Sequence, residues 1–345
     1  MNLIQLHILP APLYIESICR NEVCIDRLLL HLVVHNRMRE AIQLHKMEIA
    51  FINTCTSSAL IHRFEGKSLE SMLLKSAPML PKSGTAGTTI LPDGMGGIAS
   101  YYAEVDGEHC FDQVQCVICG CSANGTSFQQ SVQTALRRDL PQTVLSLPVK
   151  GRWWVAGGHL PFEPHRRGRL QASTYGYDFV RLGADCRSYH SEGTKNDDYY
   201  AYGAAVLAAA DGVVIHAEAT HSENCPGQRL SESDADGSAF VPMPGNHVVL
   251  QHQPGEFTFY AHLQSRLRVN PGEAVSRGQV LGRVGNSGES TEPHLHFHFA
   301  NGPDLQATGL PVVFHNWKED AFCISPNVLE QGIMLSGEII ESAEV

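Results

Sequence analysis

The sequence predicts a mainly β chain, with a β-sandwich-like domain first and a compact antiparallel β unit after it. Three observations carry this expectation. Residues from about 23 to 120 fall into short runs rich in β-formers, such as RLLLHLVVHN and MEIAFINTC, divided by the turn-formers PDGMGG and VDGEH. A proline-bounded stretch then leads to two adjacent tryptophans in RWWVAGGHLPFEP. Beyond them, short strands recur over tight glycine turns and leave little room for a long helix.

Taken in order, residues 1–148 read as a β-rich accessory domain with its linker. Apolar and polar residues alternate through it without a catalytic constellation, and one helix is expected at EGKSLESMLLKSA. SANGTSFQQSVQTALRRDLPQTVLSLPVKG reads as the lead into the second unit, residues 149–326. That unit contains a loose internal echo. YAYGAAVLAAADGVVIHAE and VNPGEAVSRGQVLGRVGNSG each combine a short strand, a glycine turn and another strand. HSENCPGQRLSESDADGSAFVPMPG is a polar, turn-rich insertion expected at the surface. Residues 327–345, ending GEIIESAEV, read as a peripheral tail.

Composition removes several function classes. The chain has 345 residues with 36 acidic against 25 basic, a net charge of -11, which disfavours nucleic acid and anionic membranes as partners. Its longest apolar runs, LLLHLVV and VLAAADGVV, fall far short of the roughly 20 residues of a membrane-spanning helix. The start, MNLIQLHILPAPLYIES, lacks the basic, apolar and small-residue succession of a signal peptide. The protein is therefore expected to remain in the cytoplasm, to leave by another route, or to lack its true start. Ten cysteines in a chain of this length do not require a disulfide framework. CVICGC contains a C-x-x-C step, but no second pair stands at zinc-finger distance and the segment alternates like a strand, so these are read as thiols.

The chemistry concentrates in STEPHLHFHFANG. Here His294, His296 and His298 recur at every second residue, so in a strand all three project to one side. His262 follows an aromatic run in TFYAHLQS. Asp178 in YGYDFVRLG lies among apolar residues, where an unpaired carboxylate is costly. His165 in EPHRRGRL and His159 in AGGHLP lie upstream. A catalytic zinc takes three protein ligands from histidine and carboxylate groups and keeps one open position. In H-x-H, one ring can hold the metal while the other reaches the substrate or a water. His221, His247, His252 and His315, each isolated, are read as structural.

YGYDF, YAHL, GNSGEST and PHLHFHF, in this order, resemble the lysostaphin/LytM-type zinc metallopeptidases, over roughly residues 151–315. The glycine turns of VLAAADGVV and GEAVSRGQVLGRVGNSG look like that family's duplicated hybrid motif. The resemblance implies a bound Zn2+ with Asp178 and His296 among its ligands, and His262 and His294 as the catalytic pair that activates water and stabilises the tetrahedral intermediate. His298 is assigned a supporting or groove-lining role. Where the family motif H-x-x-x-D expects its first histidine, Thr174 stands. His165, 178 − 165 = 13 residues upstream of Asp178, is the leading candidate for that position and His159 the second. The implied activity is zinc-dependent hydrolysis of peptide bonds in peptidoglycan cross-links or stem peptides, outside the cytoplasm. The alternatives are a non-catalytic, degenerate relative serving as a binding or regulatory module, and a histidine phosphocarrier of related fold. Asp178 and the H-x-H pair argue against the phosphocarrier.

Overall fold

The computed structural model describes residues 3–20, 23–74, 85–93, 95–159, 163, 165, 171–228, 243–319 and 327–342. The chain divides into two compact units, Met1–Asp139 and Leu140–His165 continued by Leu170–Val345. Both are built mainly from strands, and Gly66–Leu74 is the only α-helix among the described residues.

In the first unit, Val23–Asn36 pairs antiparallel with Ile4–Leu9, Glu16–Arg20 and Met95–Asp106. A second sheet centres on Ile42–Asn53 and Gln113–Ser122. Residues from both sheets, among them Ile8, Leu30, Leu32, Ile49, Phe51, Val114 and Ile118, bury into one hydrophobic core. The helix falls within the stretch read as helical, and Leu69 and Leu73, one turn apart on one face, join that core. Gln113–Ser122 alternates as the cysteine segment predicts. Cys116 is buried, whereas Cys119 and Cys121 occupy the opposite face beside Gln129 and His45. All three are free thiols. Part of the segment read as a lead between domains is a strand. Ser127–Arg137 pairs along Gln113–Ser122, with Phe128 and Val132 packed on the core. Ser127, Gln129, Ser131 and Gln133 face outward, and that polar face hides the strand in the sequence.

The second unit is organised by an 11-stranded sheet. Across its middle run Arg152–Gly157, Tyr177–Val180, Leu295–Ala300, Glu256–Leu263, Asn246–Gln253 and Gly212–Glu218. The two halves of the internal echo pair crosswise. Ala205–Leu207 joins Val280–Arg283, and Gly212–Glu218 joins Ala274–Val275. The reading of residues 327–345 as a peripheral tail is corrected. Asn327–Gly332 pairs with Phe314–Glu319, and Ile339–Ser342 lies between Phe314–Glu319 and Arg152–Gly157 within the sheet. Ile333, Met334 and Ile340 are buried. A strand of four residues leaves too short an alternation to read from sequence. Of the polar insertion, residues 229–242 lie outside the described residues. No helix among the described residues is long and apolar enough to cross a membrane.

Strand alternation separates core from site. Tyr177, Phe179, Tyr260, Phe297 and Phe314 form a continuous aromatic cluster, with neighbouring rings 5.3–6.1 Å apart. Burying each such ring contributes roughly 1.5–3 kcal/mol. Asp178, His296 and His298, at the intervening positions, are thereby turned to the other face.

Candidate active site

One row of residues crosses the centre of the sheet. Gly157 pairs with Asp178, Asp178 with His296, and His296 with Ala261. On this row the carboxylate of Asp178 gathers three imidazoles. His296 Nδ1 is 2.9 Å from Oδ1, His165 Nε2 is 3.2 Å from Oδ2, and His294 Nε2 is 3.6 Å from Oδ1. Ligand atoms of His165, Asp178 and His296 all lie within 4.8 Å of one another, the one such group among the described residues.

His165, rather than His159, therefore stands against Asp178. His159 is buried on the aromatic side, its ring stacked on Tyr177 at 4.6 Å and its Nε2 donating to the carbonyl of Tyr175. Thr174 is buried as well, and its hydroxyl donates to the carbonyl of Gln171.

His262 reaches the same space by a backbone device. Tyr260 pairs with Phe297 on the core face, so plain alternation would turn His262 into the core. His262 instead adopts φ +63°, a left-handed conformation that costs a non-glycine residue about 1–3 kcal/mol. Its ring then lies 4.7 Å from that of His294 and 5.8 Å from that of His296.

The tautomers of His262 and His294 follow from their partners. His262 Nδ1 donates to the carbonyl of Ser287 at 2.8 Å, and His294 Nδ1 donates to the carbonyl of Glu292 at 2.8 Å. In the neutral rings both Nε2 atoms carry lone pairs. The Ser287 carbonyl lies within GNSGEST and that of Glu292 directly follows it, and this segment is tied in turn to the polar insertion. The side-chain amide of Asn224 donates to the carbonyls of Gly288 and Ser290, while Ser290 Oγ donates to Asn286 Oδ1.

Burial opposes ionisation of Asp178, but His165, His296 and His294 outweigh it and hold the carboxyl well below the usual carboxylate range. Burial, reinforced by His294 and His296, pushes His262 well below the ordinary imidazole value. Burial also lowers His296 and, more strongly, His298. An ionised carboxylate beside neutral imidazoles is the protonation state in which such groups ligate a cation. Two imidazoles and one carboxylate also match the donor set of a catalytic divalent metal with an open position. The residues present thus fit a metal. The cysteine segment forms no comparable group among the described residues. His252, read as structural, is fully engaged by the carbonyl of Asp211 and the hydroxyl of Thr258.

Residues 196–307 match Peptidase family M23. The chain carries an M23 peptidase domain. His262, His294 and His296 fall inside the matched segment of this M23 domain, whereas His165 and Asp178 precede it and stand on the geometry above. The chain is 35% identical over 106 residues to the peptidoglycan DD-endopeptidase ShyC of Vibrio cholerae, covering 30% of this chain and 19% of that protein. It is 50% identical over 71 residues to the peptidoglycan DD-endopeptidase ShyA of the same organism, covering 21% and 15%. It is 39% identical over 85 residues to the cell division protein DipM of Caulobacter vibrioides, covering 23% and 14%. The matches thus span less than a fifth of the length of these relatives.

Sequence reasoning did not single out three features that shape the M23 site. Gly157 makes room beside the carboxylate, Phe259 stacks on His298, and two backbone carbonyls set the tautomers of the histidine pair. The motif GNSGEST was the available signal for the Ser287 carbonyl. Nothing in the sequence marks Gly157 or Phe259.

Proposed function

We propose that this chain is a zinc-dependent endopeptidase acting on peptide bonds of peptidoglycan cross-links or stem peptides. The observation that carries the reading is the convergence of His165, Asp178 and His296 beside two histidines that present Nε2 to the same space. His165, Asp178 and His296 would hold the zinc. When bound, zinc supplies Lewis acidity toward the scissile carbonyl and acidifies water.

His262 and His294 handle protons. With Nδ1–H committed to a carbonyl, each neutral ring accepts a proton only at Nε2, which becomes a donor once protonated. Their rings are 4.7 Å apart, so a proton taken from the attacking water at one can be returned to the leaving amine from this pair. The peptidoglycan substrate class is supported by the names of the two Vibrio cholerae relatives, both peptidoglycan DD-endopeptidases. The β-rich first unit, residues 1–148 with its linker, is proposed as an accessory domain that positions or regulates the peptidase.

Metal analysis of the purified chain, together with release of fragments from purified peptidoglycan, tests the proposal. About one zinc per chain is expected, lost in His296→Ala and in Asp178→Ala. His294→Ala is expected to keep the metal and lose hydrolysis. Purified protein without stoichiometric zinc overturns the reading.

A further inference from the structure

His298 is absorbed neither by the ligand set nor by the catalytic pair, yet it is 3% exposed and lies on the same face. Its Nδ1 is 2.9 Å from His296 Nε2, while His296 Nδ1 faces Asp178. Through Phe259 it is held in place from behind. The two rings are stacked at 4.2 Å with 19° between their planes, and the residues are direct cross-strand partners. The acceptor therefore cannot swing away without breaking packing on a fully buried strand.

A neutral histidine that gives its Nδ1 lone pair to a metal carries its proton on Nε2. In this chain that nitrogen meets His298 Nδ1. We propose that His298 is a positioning residue: its Nδ1 accepts the Nε2–H of His296, fixing the tautomer and ring plane in which His296 presents Nδ1 to the zinc. Both rings are neutral in this arrangement, so the proton of His298 resides on its own Nε2. A ligating histidine whose outer nitrogen is anchored in this way is a more basic and better oriented ligand. The inference rests on the metal reading above.

Two measurements test it without reference to activity. Zinc affinity is measured by competition with a chromogenic chelator for the wild-type chain, His298→Leu and His298→Asn, whose amide oxygen stands near the position of Nδ1. Loss of the acceptor is expected to weaken zinc binding by about 10–100-fold in His298→Leu. His298→Asn is expected to restore most of the affinity. Long-range 1H–15N correlation spectra of the zinc-loaded wild-type chain are expected to place the His296 proton on Nε2, a readout that needs no variant to fold. Equal affinity in His298→Leu, equal losses in both variants, or a His296 proton on Nδ1 each overturn the inference while the metal reading stands. A wild-type chain that takes up no zinc overturns both.

Discussion

Gly157→Ala isolates the placement of the Asp178 carboxylate. Gly157 is the register partner of Asp178 at a bulge, and its φ lies outside the left-handed region, so alanine meets no backbone obstacle there. The added Cβ would stand 2.8 Å from Asp178 Oδ2, 3.2 Å from His165 Cε1 and 3.3 Å from Asp178 Cβ. Ordinary contact begins near 3.4 Å, so the oxygen facing His165 must retreat by about 3.4 − 2.8 = 0.6 Å. Metal sites tolerate deviations of only about 0.2 Å in ligand distance. The expected consequence is a loss of zinc affinity of the order seen when ligand support is removed, about 10–100-fold or 1.4–2.7 kcal/mol. Overpacking of the metal-free protein typically costs about 1–3 kcal/mol. Chelator competition gives the first quantity and denaturant unfolding of the metal-free chain gives the second. Zinc affinity within threefold of the wild type, with an unchanged unfolding midpoint, would refute the argument that this carboxylate is held in place by the space Gly157 leaves.

Two further outcomes are expected. His262, His296 and His298 have folded-state values below the ordinary 6.5, so the native metal-free chain refuses protons that the unfolded chain accepts. Their stability contribution is complete above about pH 6.5 and declines as pH falls toward the folded values, with a ceiling slope of roughly 3 × 1.36, or about 4 kcal/mol per pH unit. Asp178, whose folded value is also depressed, keeps its contribution through that window and loses it only as pH falls below 3.8 toward its folded value. Denaturant unfolding between about pH 7.5 and 5 checks this, and a flat profile contradicts it. In Gly288→Ala, at φ +74°, the new Cβ would lie 2.4 Å from the amide nitrogen of Gly245 and 2.7 Å from the carbonyl oxygen of Met243. The neighbouring carbonyl of Ser287 must then move, so hydrolysis is expected to fall by about 100-fold with zinc retained. Undiminished peptidoglycan hydrolysis in that variant counts against the role given to the loop.

What could be read from the residues alone follows the reach of local patterning. The period of two in PHLHFHF and the lone acid in YGYDF place His296, His298 and Asp178 on one face, because alternation is a property of each strand by itself. The contact between His165 and Asp178 depends on how the chain returns across the intervening residues, which alternation does not encode. His262 runs against its own strand's pattern, since a single left-handed residue moves it from the core face to the site face. The closing strands at Asn327–Gly332 and Ile339–Ser342 were hidden because their place in the sheet depends on partners far away in the sequence. Ser127–Arg137 was obscured by its polar outer face.

The loop carrying Ser287 and Glu292 has a consequence beyond orientation. Both rings of the proposed His262–His294 pair take their reference from carbonyls five residues apart on that one segment, itself clamped by Asn224. Any displacement of the segment is common-mode: the two rings lose their alignment together, and neither can compensate for the other. On the proposed assignment, damage there is expected to leave the metal bound and the proton traffic silenced, so metal occupancy alone would be a poor gauge of competence in this chain.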